Sequence, residues 1–229
     1  MKKLILFLLL GLLVISNIFS QGRNGLYSNV NRSTGSLIVS TGPYYCFGDA
    51  NGSPLQNSII NGTNWINSIG FRQYFPGNFA YKASVQYGSF RNVDTSKRNF
   101  SSDAQVLGLT VVGEYFIHFG ATPRYNSYNH HAISIFVGTG VVNSTMSYPS
   151  NAIVGKASEL APIFPFGFGY QYHFSNELSL GAEVGWQFST SDYLDGFHPE
   201  SFSNYPDILG GFNVTLAYKL FGRRGFLAN

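Results

Sequence analysis

Charge is what this sequence lacks most. Asp, Glu, Lys and Arg make up 11% of its 229 residues, whereas soluble globular chains run at about a quarter. That is too little polar cover for an ordinary water-facing surface. Cysteine is nearly absent, and with Cys46 alone no disulfide can form within the chain. Long apolar runs are missing after residue 20, where nothing approaches the roughly 18 uninterrupted apolar residues of a transmembrane helix. A strong excess of either charge is missing too. The 14 Lys and Arg stand against 11 Asp and Glu, and two of the cations, Lys2 and Lys3, belong to the N-terminal segment described next. The near-balance that remains gives no electrostatic case for nucleic acid as a partner. Disorder is excluded from the other side, because aromatic residues reach 17% and disordered chains are poor in them.

What is present begins with that segment. Lys2 and Lys3 precede an apolar run from Leu4 to Ile15, and small Ser20 is followed by Gln21, the pattern of a secretory signal peptide over residues 1–20. An exported chain that is rich in aromatics, poor in charge and free of membrane helices points to a transmembrane β-barrel.

Alternation carries the assignment further. From Leu178 to Phe188 every second residue is apolar (Leu178, Leu180, Ala182, Val184, Trp186, Phe188), and Ser179, Gly181, Glu183, Gly185 and Gln187 lie between them. Such a period of two is the strand signature. Phe164, Phe166, Phe168, Tyr170, Tyr172 and Phe174 repeat it, as do Phe212, Val214, Leu216, Tyr218 and Leu220. Further strands are expected near residues 35–45, 65–75, 79–89, 107–117 and 132–141, with Val112 and Phe116 breaking the fourth pattern. Eight strands result. The expected fold is all-β, an eight-stranded antiparallel up-and-down transmembrane barrel over residues 35–222. A polar lead-in over residues 21–34 precedes it and a short tail over residues 223–229 follows, with no second domain.

Volume decides which face points inward. An eight-stranded barrel has an interior just wide enough to be filled by side chains. Six aromatics from one strand, with more from seven others, do not fit there, whereas Gly, Ser, Gln and a few charges do. The aromatic face is therefore expected to meet lipid. Short connections at residues 76–78 and 175–177 alternate with long ones at 47–64, 90–104, 143–160 and 189–208, as periplasmic turns alternate with outer loops. The connection at residues 120–131 departs from this by its length: either it is a small periplasmic feature or the adjoining strands run further.

With the aromatic face outside, the lumen receives Arg72, Lys82, Glu114, Glu183 and Lys219. Isolated buried charges are prohibitive, so these five are expected to pair as a hydrogen-bonded plug. Its bland reading is a structural network, and its functional reading a gate or proton path. A solute-sized pore is not expected at this strand number.

No catalytic site is expected. His173-Phe174-Ser175 resembles the His-x-Ser of lipid A deacylase barrels, with Glu183 as a conceivable third member. It lies beside a predicted periplasmic turn, however, while that chemistry belongs to the outer leaflet. No cofactor or metal site is expected either. His130, His131 and His198 lack partners at recognisable metal spacing, and Asp192 and Asp195 match no calcium loop.

Several strings together resemble the PorG-like outer-membrane barrels of the type IX secretion system. Tyr45-Cys46-Phe47-Gly48-Asp49 resembles the family's Tyr-x-x-Gly-Asp stretch, and Tyr87-Gly88 followed by Arg98-Asn99-Phe100 its Arg-Asn segment. Glu114-Tyr115-Phe116 and Pro165-Phe166-Gly167-Phe168-Gly169 resemble its fourth and sixth strands. Glu183-Val184-Gly185 and then Thr190-Ser191-Asp192-Tyr193-Leu194-Asp195 form the most specific run. The resemblance implies a non-enzymatic barrel whose partners are outer-membrane lipids and the periplasmic ring of the machine, including its lipoprotein. Its implied motif positions are Gly48, Asp49, Arg98, Asn99, Asp192, Tyr193 and Asp195. The alternative is a stand-alone small barrel with a structural role or a surface ligand.

Overall fold

The computed structural model describes residues 34–47, 64–75, 78–94, 100–119, 130–147, 158–175, 177–191 and 207–221. They form eight strands: β1 (Thr34–Phe47), β2 (Trp65–Tyr74), β3 (Phe79–Asp94), β4 (Phe100–Phe119), β5 (His130–Ser147), β6 (Ser158–His173), β7 (Leu178–Ser189) and β8 (Ile208–Phe221). Each pairs antiparallel with the next, and β1 pairs with β8 to close the barrel. Closure leaves no free sheet edge, which is what a strand-built membrane span requires.

The outer wall is apolar. Val137 is 66% exposed and Ile69 54%, while Arg72 and Glu114 on the inner face are 3% and 2% exposed. This inverts the arrangement of a water-soluble protein, and the solvent that suits such a wall is lipid. Aliphatic side chains such as Ile69, Val85, Val111, Ile135 and Val214 form the middle of the belt. Aromatics flank it at both ends, among them Phe79, Tyr115 and Tyr170 toward the short turns and Trp65, Tyr87 and Phe188 toward the long loops.

The short turns are built locally. Phe75 N–H donates to the Phe79 carbonyl at 2.7 Å, and Asn78 has φ 70°, a left-handed conformation that Asn tolerates better than most residues. In the other turn, the Ser175 hydroxyl accepts from the Glu177 and Leu178 N–H groups at 3.2 and 3.0 Å.

Several strands outrun their apolar pattern. β3 and β4 stay paired out to Asp94↔Phe100 and β5 continues to Ser147, so much of the expected outer loops at 90–104 and 143–160 is strand. Along these extensions the outward residues are polar, for example Asp103, Gln105 and Thr145, and alternating hydrophobicity ends where contact with lipid ends. At the turn end β4 stops at Phe119 and β5 starts at His130, leaving a connection of residues 120–129.

The interior is layered rather than uniformly polar. Toward the long loops Tyr44, Ile66, Phe90, Val106, Ile163 and Leu209 belong to a buried apolar cluster. Toward the short turns Ala80, Phe116 and Ala132 form a second, packed by Tyr74. Val112 and Phe116 therefore keep the register of β4 instead of breaking it: they face the lumen, 3% and 1% exposed. Glycines make room for the larger groups. A Cβ at Gly167 or Gly185 would lie 2.6 or 3.0 Å from the Phe136 ring, and one at Gly211 would overlap Tyr44.

Candidate functional site: a charge quartet in the lumen

Between the two apolar layers lie four charged side chains. Arg72 and Lys82 occupy directly opposed positions on β2 and β3. Glu114 comes from β4 and Glu183 from β7. All four are 2–9% exposed, so none can stand alone.

They pair with one another. Arg72 Nε lies 2.5 Å from Glu114 Oε2, and its Nη2 donates to Glu114 Oε1 at 2.8 Å and to Glu183 Oε1 at 3.3 Å. Lys82 Nζ donates to both oxygens of Glu183 at 2.8 Å and lies 3.3 Å from Glu114 Oε1. Each cation thus touches both carboxylates. Two positive and two negative charges cancel, and the planar guanidinium approaches Glu114 with two nitrogens, of which Nη2 donates the hydrogen bond.

Neighbours take the remaining donors. Arg72 Nη1 donates to Gln171 Oε1 at 3.2 Å and to the Tyr74 hydroxyl at 3.4 Å, and Gln171 Nε2 donates to Ser179 Oγ at 2.5 Å. Arg72 also lies 5.3 Å from the centre of the Phe116 ring, and Lys82 lies 5.2 Å from that of Phe136, both within cation–π range. Toward the loops, Gln86 and Gln187 exchange amide hydrogen bonds at 3.0 and 3.1 Å. The Tyr44 hydroxyl accepts from Gln187 and Asn213. A cavity of about 50 Å³, lined in part by Tyr44, Lys82, Gln86, Glu183 and Gln187, lies between the quartet and this amide layer. It has room for water but not for a solute.

Four of the five lumen charges read from the sequence are therefore joined. Lys219 is not among them: it is half-buried at the lumen face of β8, opposite Ser36, and makes none of the four ion pairs. The expected plug of three cations and two carboxylates is instead a balanced quartet.

His173, Ser175 and Glu183 do not form a catalytic unit. His173 pairs with Ser179, four residues before Glu183, or about 13 Å along the strand, and Ser175 is used within its turn. Among the described side chains no three His, Cys, Asp or Glu residues gather to hold a metal ion. Sequence spacing missed one relationship, however: His130 is not in a loop but in β5, directly opposite His173. The motif positions Gly48, Asp49, Arg98, Asn99, Asp192, Tyr193 and Asp195, with His198, lie outside the described residues. Of the strings that carry the family resemblance, Gly167 and Gly185 have a packing reason in Phe136, and Glu114 and Glu183 an electrostatic one in the quartet.

No protein-family profile matches the chain, and no curated protein matches it in sequence. Among solved structures it is similar to Ail, the attachment invasion locus protein of Yersinia pestis, crystallised with the heparin analogue sucrose octasulfate. The two share 14% identity over 82% of this chain and 99% of that one, with a TM-score of 0.47. It is also similar to Neisserial surface protein A, with 7% identity over 82% and 98% of the two chains and a TM-score of 0.49. A third similarity is to the N-terminal β-barrel domain of Pseudomonas aeruginosa OprF, with 11% identity over 82% and 100% of the two chains and a TM-score of 0.35.

Proposed function

We propose that this chain is a non-enzymatic, pore-free barrel of the bacterial outer membrane that ties the periplasmic ring of a type IX secretion machine, including its lipoprotein, to that membrane. One observation carries the pore-free part: the lumen is filled by a neutral charge quartet between two buried apolar layers. A water-filled channel would leave those side chains exposed. With the interior occupied, the surfaces left to act are the lipid-facing wall, the rims and the connections. The Tyr45–Asp49, Arg98-Asn99 and Thr190–Asp195 strings support the link to that machine, through their resemblance to its PorG-like barrels.

The test is co-purification of ring components with a tagged barrel, alongside cargo secretion in a deletion strain. Recovery of the ring and loss of secretion are expected. A barrel that recovers no ring and whose deletion leaves secretion intact is a stand-alone structural or ligand-binding barrel.

A further inference from the structure

The outer wall carries an imidazole at its turn-end rim. His131 is exposed on the outer face of β5, in line with Ile133 and Ile135. It stands four residues, or about 13 Å along the strand, from Ile135 in the middle of the belt. With the tilt of the strands, that brings it to the rim of an apolar band about 25 Å tall. Directly opposite it are Phe119 on β4 and Tyr172 on β6. Its ring lies 5.0 Å from that of Tyr172, and its Nδ1 lies 2.5 Å from the Tyr170 hydroxyl. With that hydroxyl donating to Nδ1, the ring hydrogen belongs to Nε2, which has no hydrogen-bond partner among the described residues. No described carboxylate forms an ion pair with His131.

We propose that His131 is the headgroup contact of a phospholipid-binding site on the turn-end rim, its Nε2–H donating to a phosphodiester oxygen. An N–H at this depth needs an acceptor. Of the acceptors at the rim of a leaflet, water and phosphate, the charged phosphate makes the stronger hydrogen bond. The Tyr170 hydroxyl holds the ring from one side and Tyr172 packs beside it, so the donor is oriented in advance. Toward the middle of the membrane the same two strands present Ile133, Ile135 and Phe168, which are 40%, 48% and 55% exposed and form a wall for acyl chains. Phosphate and chains are recognised together. Free phosphate, with no chains to lay on that wall, binds less well. The site requires the barrel and its membrane but not the secretion role.

The test uses the full mature chain, refolded in detergent and measured by native mass spectrometry with added phosphatidylglycerol. One retained lipid per barrel is expected. Losing a hydrogen bond to a charged group changes an equilibrium by roughly tenfold or more. His131→Phe, which keeps a ring and removes the donor, should therefore weaken retention about tenfold. His131→Gln, which supplies an N–H again, should recover part of that loss. His118→Ala, on the lumen face at the same end, should leave retention unchanged. Diacylglycerol with the same chains should not be retained, and inorganic phosphate should not displace the bound lipid. A second measurement needs no variant: phosphatidylglycerol, and not diacylglycerol, should protect His131 of the wild type from diethyl pyrocarbonate. No discrete lipid-bound species, equal retention by His131→Phe, or equal retention of diacylglycerol overturns the site. Displacement by inorganic phosphate overturns the lipid as its occupant.

Discussion

Arg72 and Lys82 sit directly across from each other on β2 and β3, like charges in the one position where a sheet disfavours them. Only the carboxylates make this tolerable. Glu114 reaches in from the neighbouring strand, and Glu183 reaches across the lumen from a residue 101 positions further along the chain. The quartet therefore ties opposite walls of the barrel together.

Its stability should be asymmetric. Both 2.8 Å contacts of Lys82 go to Glu183, and removing one partner of a buried pair costs roughly 3–5 kcal/mol. Glu183→Ala should lower the urea midpoint of the refolded barrel accordingly. Adding Lys82→Met to that variant should recover much of the loss, because the stranded cation goes with it. Equal, additive losses in a double-mutant cycle would count against the quartet as a coupled unit.

Closure predicts heat-modifiability. A barrel joined through β1 and β8 has no edge from which to unzip. Unboiled and boiled samples of the membrane fraction should migrate differently on a gel. Recovery of the chain as a soluble periplasmic protein would defeat the membrane assignment.

The filled lumen predicts electrical silence. The purified barrel in planar bilayers should show negligible conductance, since Phe90, Ile163 and Leu209 close one end and Phe116 the other, each 0–2% exposed. A steady, large, ohmic channel from the monomer would contradict the layered interior.

Gly211 should be intolerant of substitution for a reason visible in one contact. Its added Cβ would overlap the Tyr44 ring, which Gln187 and Asn213 hold by its hydroxyl. Overpacking of this kind costs roughly 1–3 kcal/mol, so Gly211→Ala should destabilise by about that amount. In a Tyr44→Ala background the same change should cost much less. Equal cost in both backgrounds would locate the strain elsewhere.

For the secretion role, Asp192→Ala with Asp195→Ala should reduce recovery of the periplasmic ring more than it reduces barrel abundance. Both residues lie in the most specific family-like run, and Asp side chains organise turns by bonding to nearby backbone. Equal ring recovery per barrel would return the run to a structural turn.

Period-two alternation in the sequence determined that residues such as Phe164–Phe174 form a strand, that eight such strands exist, and which face of each meets lipid. Those properties are local, because a strand's side chains change face at every residue and lipid selects the apolar one. The same test failed where its physical basis stopped. Phe116 looked like a break because apolar residues were expected only outside, and the polar extensions of β3 to β5 went unread because no lipid touches them. Which lumen charges meet, and which do not, was decided by closure. Arg72, Lys82, Glu114 and Glu183 converge while Lys219 stays apart, because the stagger between paired strands sets the height of each inward residue. The opposition of His130 and His173 has the same origin: period two fixes a residue's face, and only the paired register fixes its neighbour.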